Sequence, residues 1–358
     1  MMGLKVGVLG IGPVGEHIVR ILGERKFPVD GPLTIMATRE RDEIIDEMPV
    51  SVQKVSEDLF KKLDLVFFAG KEGAKGASLE WADIAVKNGC VVIDNGGDLR
   101  MYPGIPLVIP EINMDSVTKD TRLICNPNCS TIQMALALYP LHKASRVRRV
   151  IVSTYQSVSG HSGGAMELLK AEIKQVLSGE SVQEYPAIFA RSASFNCIPH
   201  IDRFEKNGYT REEMKMVNEP RKIFNEPNLL ISATAVRVPV LVGHSESINA
   251  EFMEPMNAQK AIEILSNPVL SPGVVYIDGI TDDKNSLEIR HDPLERRYPV
   301  ASDIEKVEWK DSVMVGRIRD DMTVPNAINL WCVSDNLRKG AATNAIQIAE
   351  GMLEKGLL

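Results

Sequence analysis

Short apolar runs alternate with helical segments through the first 130 residues, and this alternation restricts the fold more than any other feature of the sequence. Val6–Leu9 and Leu65–Ala69 have no polar residues in alternate positions. Strands of this kind are buried on both faces, which is typical of a parallel sheet covered by helices. We therefore predict a doubly wound α/β domain. Its predicted strands are Val6–Leu9, Leu33–Ala37, Leu65–Ala69 and Cys90–Ile93, and its predicted helices are Gly15–Leu22 and Ser78–Asn88.

Beyond Cys129 the strand-like runs become longer, which indicates a second domain. Long strands mixed with separate helices favour an α+β domain with a mostly antiparallel sheet. The charged stretch Asp282–Asp303, which contains two prolines, predicts a solvated loop. The predicted strands are Val147–Tyr155, Leu229–Val238 and Ile248–Met253, and the predicted helices are Thr131–Leu138, Met166–Leu177 and Ala341–Leu353.

The composition excludes several classes of protein. A length of 358 residues suggests roughly two domains. With 48 acidic and 41 basic residues the net charge is −7, so we expect no nucleic-acid binding, and anionic ligands must be held by individually placed Arg and Lys. The five cysteines have neither disulfide nor zinc spacing, so we expect free thiols and no metal site. No signal-peptide pattern and no membrane-length apolar stretch is found, so we expect a cytoplasmic protein without membrane contact.

A glycine motif directly follows the first predicted strand and precedes the first predicted helix. It consists of Gly10, Gly12 and Gly15, with Pro13 and Val14 between the last two. Glycines there allow a tight turn and bring the backbone close to a pyrophosphate at the helix N-terminus, as in Rossmann-type domains. The motif therefore favours dinucleotide binding over a plain tight turn.

The end of the second predicted strand bears on the choice of dinucleotide. Thr38 and Arg39 follow it, and both are able to bind a 2′-phosphate, which favours NADP. Glu40 and Asp42 are close by and leave NAD as an alternative, because an acidic residue there holds the ribose hydroxyls of NAD. A solvated charged loop is the third interpretation.

Cys129 is the cysteine most suited to be a nucleophile. It lies at the predicted start of a helix, where free N–H groups and the helix dipole stabilise a thiolate. The alternative is a small buried thiol. We assign the other four cysteines to packing, with Cys125 directed into the core and the remainder in apolar surroundings. These are Cys90, Cys125, Cys197 and Cys332.

The segment Asn126-Pro127-Asn128-Cys129-Ser130-Thr131 resembles the active-site motif of the aspartate-semialdehyde dehydrogenase family. The resemblance extends along nearly the whole chain, and the matching segments together are highly specific. They include residues 91–95, 106–113, 154–160, 195–201, 215–222, 237–244, 315–319 and 335–342.

The resemblance implies oxidation of aspartate 4-semialdehyde to aspartyl 4-phosphate with NADP and phosphate, a reaction that runs in reverse in biosynthesis. Cys129 would attack the aldehyde and carry a thioester. His244 would be the general acid and base, and without the motif a hydrogen-bonded core histidine would be the better interpretation. Gln156 would position the substrate beside the nucleophile.

The remaining implied roles concern binding. Arg237 would hold the substrate carboxylate through two hydrogen bonds, and Glu219 would contact its ammonium group. A solvated helix face is the alternative for Glu219, because Lys215 and Lys222 share its helical spacing. The implied phosphate-binding residues are Arg100, Lys222 and Asn128, and the implied nicotinamide-lining residues are Ser159, Gly160 and Asn336.

The resemblance also implies an architecture. Residues 1–128 and 330–358 would form the NADP-binding domain, and residues 129–329 the catalytic domain, with assembly into a homodimer or a homotetramer. His161 departs from the family's pattern, and we interpret it as a loop residue. Two alternatives remain: a related acyl-phosphate reductase, such as one acting on N-acetylglutamyl phosphate, and a non-catalytic nucleotide-binding paralogue.

Overall fold

The structure is a computed structural model that describes residues 3–45, 47–70, 73, 76–161, 163–182, 188–189, 191–277 and 298–358. Two compact units divide it: Met1–Cys129, Lys222–Asn225 and Gly340–Leu358 form the first, and Ser130–Arg221 with Glu226–Lys339 forms the second. Most of the predicted loop at Asp282–Asp303 lies outside the described residues.

The described elements lie in the following order along the chain. The helices are α1 (Pro13–Glu24), α2 (Glu57–Phe60), α3 (Ala77–Lys87), α4 (Pro110–Asn113), α5 (Cys129–Ala144), α6 (Gly163–Leu177), α7 (Arg211–Ile223), α8 (Ala258–Leu265) and α9 (Thr343–Glu354). The strands are β1 (Val6–Leu9), β2 (Thr34–Ala37), β3 (Arg41–Ile45), β4 (Met48–Lys54), β5 (Leu65–Phe68), β6 (Val91–Asp94), β7 (Leu123–Cys125), β8 (Val147–Gln156), β9 (Leu230–Arg237), β10 (His244–Phe252), β11 (Val274–Tyr276), β12 (Val313–Asp320) and β13 (Ala327–Ser334).

The first unit contains a seven-stranded sheet in the order β3-β4-β2-β1-β5-β6-β7. All neighbours are parallel except β3 and β4, which confirms the predicted doubly wound sheet. The strand order reverses at β1, between β2 and β5, and dinucleotides bind at such a switch point in doubly wound folds. The glycine motif therefore lies at the carboxyl end of the strand where a ligand is expected.

Helix α9 returns to the first unit and completes its core. Ile346 and Met352 are fully buried in one apolar cluster with β1, β5 and β6. Burial of this kind is the main source of stability in a helix-covered sheet. The predicted helix began at Ala341, two residues too early, because Arg338–Ala342 forms a wider π-helical turn before α9.

The hairpin of β3 and β4 was absent from the sequence prediction. The residues after β2 are charged, and a solvated loop was one of the interpretations left open for them, yet Arg41 pairs with Val52 and Ile45 pairs with Met48. Only β3 is an edge strand, but both strands are mostly exposed apart from Ile45 and Val52, so neither contains the continuous apolar run of a buried strand.

The second unit contains a six-stranded sheet in the order β11-β12-β13-β10-β8-β9. Three of its five strand pairs are antiparallel, which confirms the predicted mostly antiparallel α+β domain. The chain leaves this unit after Lys339 and not at residue 330, because β13 pairs with β10 and β12.

Helix α5 is buried on nearly every side along Ser130–Leu138. The predicted helix Thr131–Leu138 covers only the N-terminal half of α5, which continues through Pro140 to Ala144. In the described part of the chain, no helix has the length and apolar character that a membrane span requires.

Candidate active site

The backbone of the glycine motif leaves no room for a side chain at two of its three glycines. Gly10 has a φ of +100°, and a Cβ there would lie 2.6 Å from the carbonyl carbon of Ala69. A Cβ on Gly15 would lie 2.0 Å from the carbonyl oxygen of Gly10. Gly12 has open space around it, and Pro13 begins α1. The turn therefore leaves room at the N-terminus of α1, which fits a pyrophosphate group.

Thr38 and Arg39 follow β2 and are exposed. Arg41, two residues on, forms an ion pair with Glu43, with 2.5 Å between Nε and Oε1. Arg39 itself is an exposed cation two residues beyond the end of β2, the strand that pairs with β1 before the glycine motif.

Cys129 is the first residue of α5 and is half-buried. Cys90 and Cys332, by contrast, are fully buried, and burial raises the pKa of Cys90 to about 11 and that of Cys332 well above its usual value. A raised thiol pKa makes a cysteine inert, so these two fit the packing role, as does the buried Cys125. Cys197 is exposed, so its predicted apolar surroundings were wrong: it lies in an irregular segment after the exposed Phe195.

Three asparagines, which we call the asparagine network, fix the loop that leads to Cys129. Asn126 donates from Nδ2 to Oδ1 of Asn95 over 3.0 Å, and Asn344 donates from Nδ2 to Oδ1 of Asn126 over 2.7 Å. Asn344 also donates to the carbonyl oxygen of Val108. Satisfied buried amides of this kind hold a single conformation.

Two of the predicted phosphate-binding residues meet in the first unit. Arg100 is 5% exposed, and its Nη2 donates to the carbonyl oxygen of Asn95 over 2.7 Å. Nζ of Lys222 donates to the carbonyl oxygens of Arg100 and Tyr102, over 2.6 and 3.0 Å. Asn128 is buried and precedes Cys129. Lys222 thus contacts the main chain of Arg100, so two cationic residues are neighbours in the first unit.

In the second unit, His244 is surrounded by polar groups that we call the His244 cluster, which consists of Ser157, Ser159, Arg237, His244 and Asn336. The main-chain N–H of Ser157 donates to Nδ1 of His244 over 3.1 Å, and Oγ of Ser157 lies 3.0 Å from the same nitrogen. Oδ1 of Asn336 accepts from Oγ of Ser157 and from the N–H of Gly243.

The imidazole of His244 is uncharged in this environment. Complete burial and the positive charge of Arg237 lower its pKa to about 3, although Glu212 and the main chain of Gly243 act in the opposite direction. Nε2 has no hydrogen-bond partner among the described residues. It faces Gly160, where a Cβ would lie 3.1 Å away.

Arg237 and Gln156 lie side by side as register partners at the ends of β9 and β8. Arg237 is 4% exposed, and its Nη1 donates to the carbonyl oxygen of Ser157 over 2.5 Å. Gln156 donates from Nε2 to Oε1 of Glu212 over 3.2 Å. Because a carboxylate only accepts, this bond turns the carbonyl oxygen of the Gln156 amide away from Glu212.

Glu219 is 1% exposed, which contradicts the alternative of a solvated helix face. Glu246, which the sequence did not single out, is also completely buried; its Oε2 lies 3.5 Å from Sγ of Cys332. Burial raises the pKa of Glu246 to about 8.

His161 is exposed after the turn Val158–Gly160, where its ring contacts Phe189.

The sequence predicted the residues expected to touch ligands, but not the residues that orient them. Glu212, Ser157 and Asn344 are examples, and each acts on a residue far from it in sequence or through its main chain. The one sequence signal that placed Ser157 and His244 in the same site was that both lie in segments that resemble the family, residues 154–160 and 237–244. Among the described residues, no three His, Cys, Asp or Glu side chains lie together as metal ligands would.

Two sequence models of protein families match the chain. A semialdehyde dehydrogenase NAD-binding domain matches residues 5–120, and a semialdehyde dehydrogenase dimerisation domain matches residues 138–339. The chain is 40% identical over 364 residues to the aspartate-semialdehyde dehydrogenase of Aquifex aeolicus, and the match covers 100% of both sequences.

Solved structures give the same result. The structure of aspartate semialdehyde dehydrogenase II from Vibrio cholerae superimposes with a TM-score of 0.87 at 38% identity, and 99% of each chain is covered. A structure of that enzyme complexed with ASA has a TM-score of 0.86 at 37% identity, with the same coverage.

Proposed function

The chain belongs to the aspartate-semialdehyde dehydrogenase family, and we propose that it oxidises L-aspartate 4-semialdehyde to L-aspartyl 4-phosphate, reversibly, with NADP and phosphate. In the reductive direction the product would serve lysine, threonine and methionine biosynthesis. The observation that carries the proposal is the buried pair of Arg237 and His244, both against Gly160, in a chain whose relative from Vibrio cholerae binds ASA.

Cys129 is the proposed nucleophile. Its sulfur adds to the aldehyde carbon, and a thioester remains after oxidation, which is a good acyl donor to phosphate. Its place at the start of α5 supports this role, because a helix N-terminus stabilises a thiolate. The asparagine network supports the loop before it and so limits where the sulfur lies.

The substrate is held by groups of complementary charge. We assign Arg237 to the carboxylate and Glu219 to the ammonium group, and both are buried, so their charges act in a medium of low dielectric constant. Gln156 orients the substrate with an amide that Glu212 holds in one direction. We place His244 at the substrate oxygen, where the sequence interpretation makes it a general acid and base.

Phosphate is assigned to Arg100, Lys222 and Asn128. The first two are held in place by main-chain carbonyl oxygens, and both are cationic, as phosphate binding requires. Their placement in the same unit as Cys129 supports the assignment.

NADP, when bound, supplies the acceptor for the two electrons and the hydrogen that leave the aldehyde carbon. Gly10, Gly12, Pro13, Val14 and Gly15 would hold its pyrophosphate, and Thr38 with Arg39 its 2′-phosphate. Ser159, Gly160 and Asn336 would line the nicotinamide. The lack of space for a side chain at Gly10 and Gly15 supports the assignment of this turn to the pyrophosphate.

We also propose that the chain assembles into a homodimer or a dimer of dimers. The family model over residues 138–339 is described as a dimerisation domain, which supports self-association through the second unit. Sedimentation analysis at micromolar concentration tests this: a monomer throughout would contradict it.

The test of the proposed function follows absorbance of NADPH with aspartate semialdehyde, NADP and phosphate. We expect turnover that requires phosphate or arsenate and that falls by more than 10³-fold in Cys129→Ala, whereas Cys90→Ala, a buried thiol of the same unit, keeps its rate. Turnover that is independent of phosphate would refute the thioester scheme.

N-acetylglutamate semialdehyde is the control compound that tests which semialdehyde is the substrate. Its acetylated nitrogen carries no positive charge to pair with Glu219. A higher kcat/KM for that compound than for aspartate semialdehyde would favour the related acyl-phosphate reductase instead.

A further inference from the structure

The apolar face of α6 includes a buried acidic residue, Glu172. Ala165, Leu169 and Glu172 follow one another at helical spacing, so their side chains lie on the same face of the helix. Ala165 and Leu169 are fully buried in an apolar cluster, and Glu172 is 1% exposed. An acidic side chain in such a place is destabilising unless polar groups compensate for its burial, so its partners indicate what it does.

One oxygen of Glu172 accepts three hydrogen bonds from a single stretch of chain. Oε2 accepts from Oγ of Ser192 over 3.0 Å, and from the main-chain N–H groups of Ala193 and Ser194 over 2.9 and 3.0 Å. Ala193 and Ser194 are themselves buried. The carboxylate therefore satisfies main-chain donors that water does not reach, and each of them would be costly to leave without an acceptor.

The charge of Glu172 makes these hydrogen bonds strong. Hydrogen bonds to an ionised acceptor are roughly twice as strong as those between neutral groups. Oε1 has no hydrogen-bond partner among the described residues, so the compensation for burial is concentrated on Oε2. Removal of the charge should therefore weaken the hold on residues 192–194 at all three donors together.

The same stretch of chain reaches Arg237 through Ile198. The N–H of Ile198 donates to the carbonyl oxygen of Arg237 over 2.9 Å, and the N–H of Arg237 donates to the carbonyl oxygen of Ile198 over 2.8 Å. Strand β9, which ends at Arg237, is the edge strand of its sheet, and β8 lies on its other side. Ile198 therefore pairs with the open side of β9 at the residue that we assign to the substrate carboxylate.

Residues 192–198 are fixed at both ends, with an exposed part between them. Ala193 and Ile198 pack in the same apolar cluster as the buried face of α6. Phe195 is exposed and has a φ of +52°, a conformation that a bulky residue adopts only where its surroundings impose it. The contacts of Glu172 and of the apolar cluster therefore determine where this stretch lies.

We propose that Glu172 is a positioning residue for Arg237: by holding residues 192–194 it keeps Ile198 against the main chain of Arg237, and so fixes the place at which the guanidinium binds the substrate carboxylate. A guanidinium holds a carboxylate through two parallel hydrogen bonds, which require a defined position and direction. The inference rests on the proposed function, because that function assigns Arg237 to the carboxylate. All of these residues belong to the second unit.

Other contacts of Arg237 limit the size of the expected effect. Its Nη1 donates to the carbonyl oxygen of Ser157, and its main chain is in register with Gln156 of β8. These contacts remain when Glu172 is changed, so the guanidinium stays in place but is less narrowly fixed. We therefore expect weaker binding of the carboxylate and not loss of turnover.

The first experiment measures the coupling between Glu172 and Arg237 without any substrate. Hydrogen exchange detected by mass spectrometry follows the amides of residues 192–194 and, separately, those of Ile198 and Arg237. In Glu172→Gln we expect exchange about tenfold faster at both places, since a neutral amide oxygen holds the three donors less strongly. Glu167→Gln, at an exposed ion pair on the same helix, is the matched control and should leave both unchanged. Faster exchange at residues 192–194 alone would overturn the inference.

The second experiment measures the consequence for the substrate. In Glu172→Gln we expect the KM of aspartate semialdehyde to rise about tenfold while kcat stays within about threefold of the wild type, which is the pattern of a lost binding contribution. The KM values of phosphate and NADP should not change, whereas a general loss of folded protein would lower the apparent kcat. A KM of aspartate semialdehyde equal to that of Glu167→Gln would overturn the inference.

Two further variants give an expected order of effects. Glu172→Met has no oxygen to accept the hydrogen bonds and should raise the KM of aspartate semialdehyde more than Glu172→Gln does. Ser192→Ala removes one of the three donors and keeps both main-chain N–H groups, so it should raise this KM least. If Glu172→Met does not fold, Glu172→Gln and Ser192→Ala still give the comparison, and a larger KM in Ser192→Ala than in Glu172→Gln would contradict the role of the carboxylate.

The two proposals fail in different ways. A wild-type protein that does not turn over aspartate semialdehyde would refute the proposed function, whatever hydrogen exchange shows. A wild-type protein that turns it over, with the same KM in Glu172→Gln as in Glu167→Gln, would refute the role of Glu172 alone.

Discussion

The glycine turn with the asparagine network in the first unit, and the His244 cluster in the second, are both polar regions, but they differ in burial and in charge: most of the glycine turn is half-buried, whereas the His244 cluster is buried. The former uses main-chain groups and uncharged amides, whereas the latter contains the buried cation of Arg237. An uncharged group needs only hydrogen bonds in order to be buried, whereas a charged group also shifts the pKa of its neighbours. Substitutions that change shape should therefore damage the former, and substitutions that change charge or its geometry the latter.

Among the substitutions that compare the two regions, Arg237→Lys should have the largest effect. Lysine keeps the charge but loses the two parallel N–H groups that hold a carboxylate, so kcat/KM should fall by about 10³-fold, mainly through KM. Steady-state kinetics with aspartate semialdehyde checks this. Arg148→Lys, at an exposed ion pair with Glu251, is the control and should change kcat/KM less than about twofold. Equal loss in both variants would mean that fold stability, not carboxylate binding, is affected.

Shape is tested in the first unit by Gly15→Ala and Gly12→Ala. The new Cβ at residue 15 would lie 2.0 Å from the carbonyl oxygen of Gly10, so the turn must shift, and we expect destabilisation of about 2–3 kcal/mol and loss of NADP binding. Gly12 has nothing within 4 Å and an extended backbone, so its alanine variant should unfold like the wild type while binding NADP more weakly. Urea denaturation measures the stability of each variant, and NADP titration measures its binding. Similar stability of the two variants would show that a Cβ at residue 15 does not clash with the carbonyl oxygen of Gly10.

A buried carboxyl in each unit extends the comparison to pH. Burial raises the pKa of Glu246 to about 8 and that of Asp94, which accepts from Ser78 and Gly96, to about 6. A raised carboxyl pKa means that the folded state binds the extra proton, so stability is lost as pH rises from the usual range to the raised value. Between pH 6 and 8 that loss belongs to Glu246, and it is on the order of 2 kcal/mol.

Urea denaturation at pH 6 and pH 8 measures this loss. Glu246→Gln should remove most of the difference in unfolding free energy between the two pH values, whereas Asp94→Asn should retain it. If Asp94→Asn removes the difference instead, the assignment of the two carboxyls is reversed.

The smallest effect is expected at the exposed rim of the first unit. Arg39→Ala should weaken NADP binding roughly tenfold and leave NAD binding unchanged, because an exposed guanidinium contributes only a modest, salt-dependent attraction to a 2′-phosphate. Arg41→Ala is the matched control, since that side chain is paired with Glu43. An unchanged NADP to NAD preference in Arg39→Ala would refute the 2′-phosphate assignment.

Prediction of the fold from the sequence succeeded where the signal is local. The strands β1 and β5 were predicted to within one residue, because a run of apolar residues between two turns is already a buried strand. The hairpin of β3 and β4 was missed, because both strands are mostly exposed and neither contains a continuous apolar run. The solvent exposure of Cys197 could not be predicted, since its apolar sequence neighbours differ in environment: Phe195 is exposed and Ile198 is buried.

The sequence by itself determined the alternation of strands and helices in the first unit, the glycine turn, the position of Cys129 at a helix start and, through a family resemblance, the set of residues that we assign to ligands. Only the tertiary structure decided how those residues are held. Asn344 reaches Asn126 across 218 positions, Glu212 orients Gln156 across 56, and the N–H of Ser157 meets His244 across 87. A hydrogen bond between distant segments depends on how the sheets bring strand ends together.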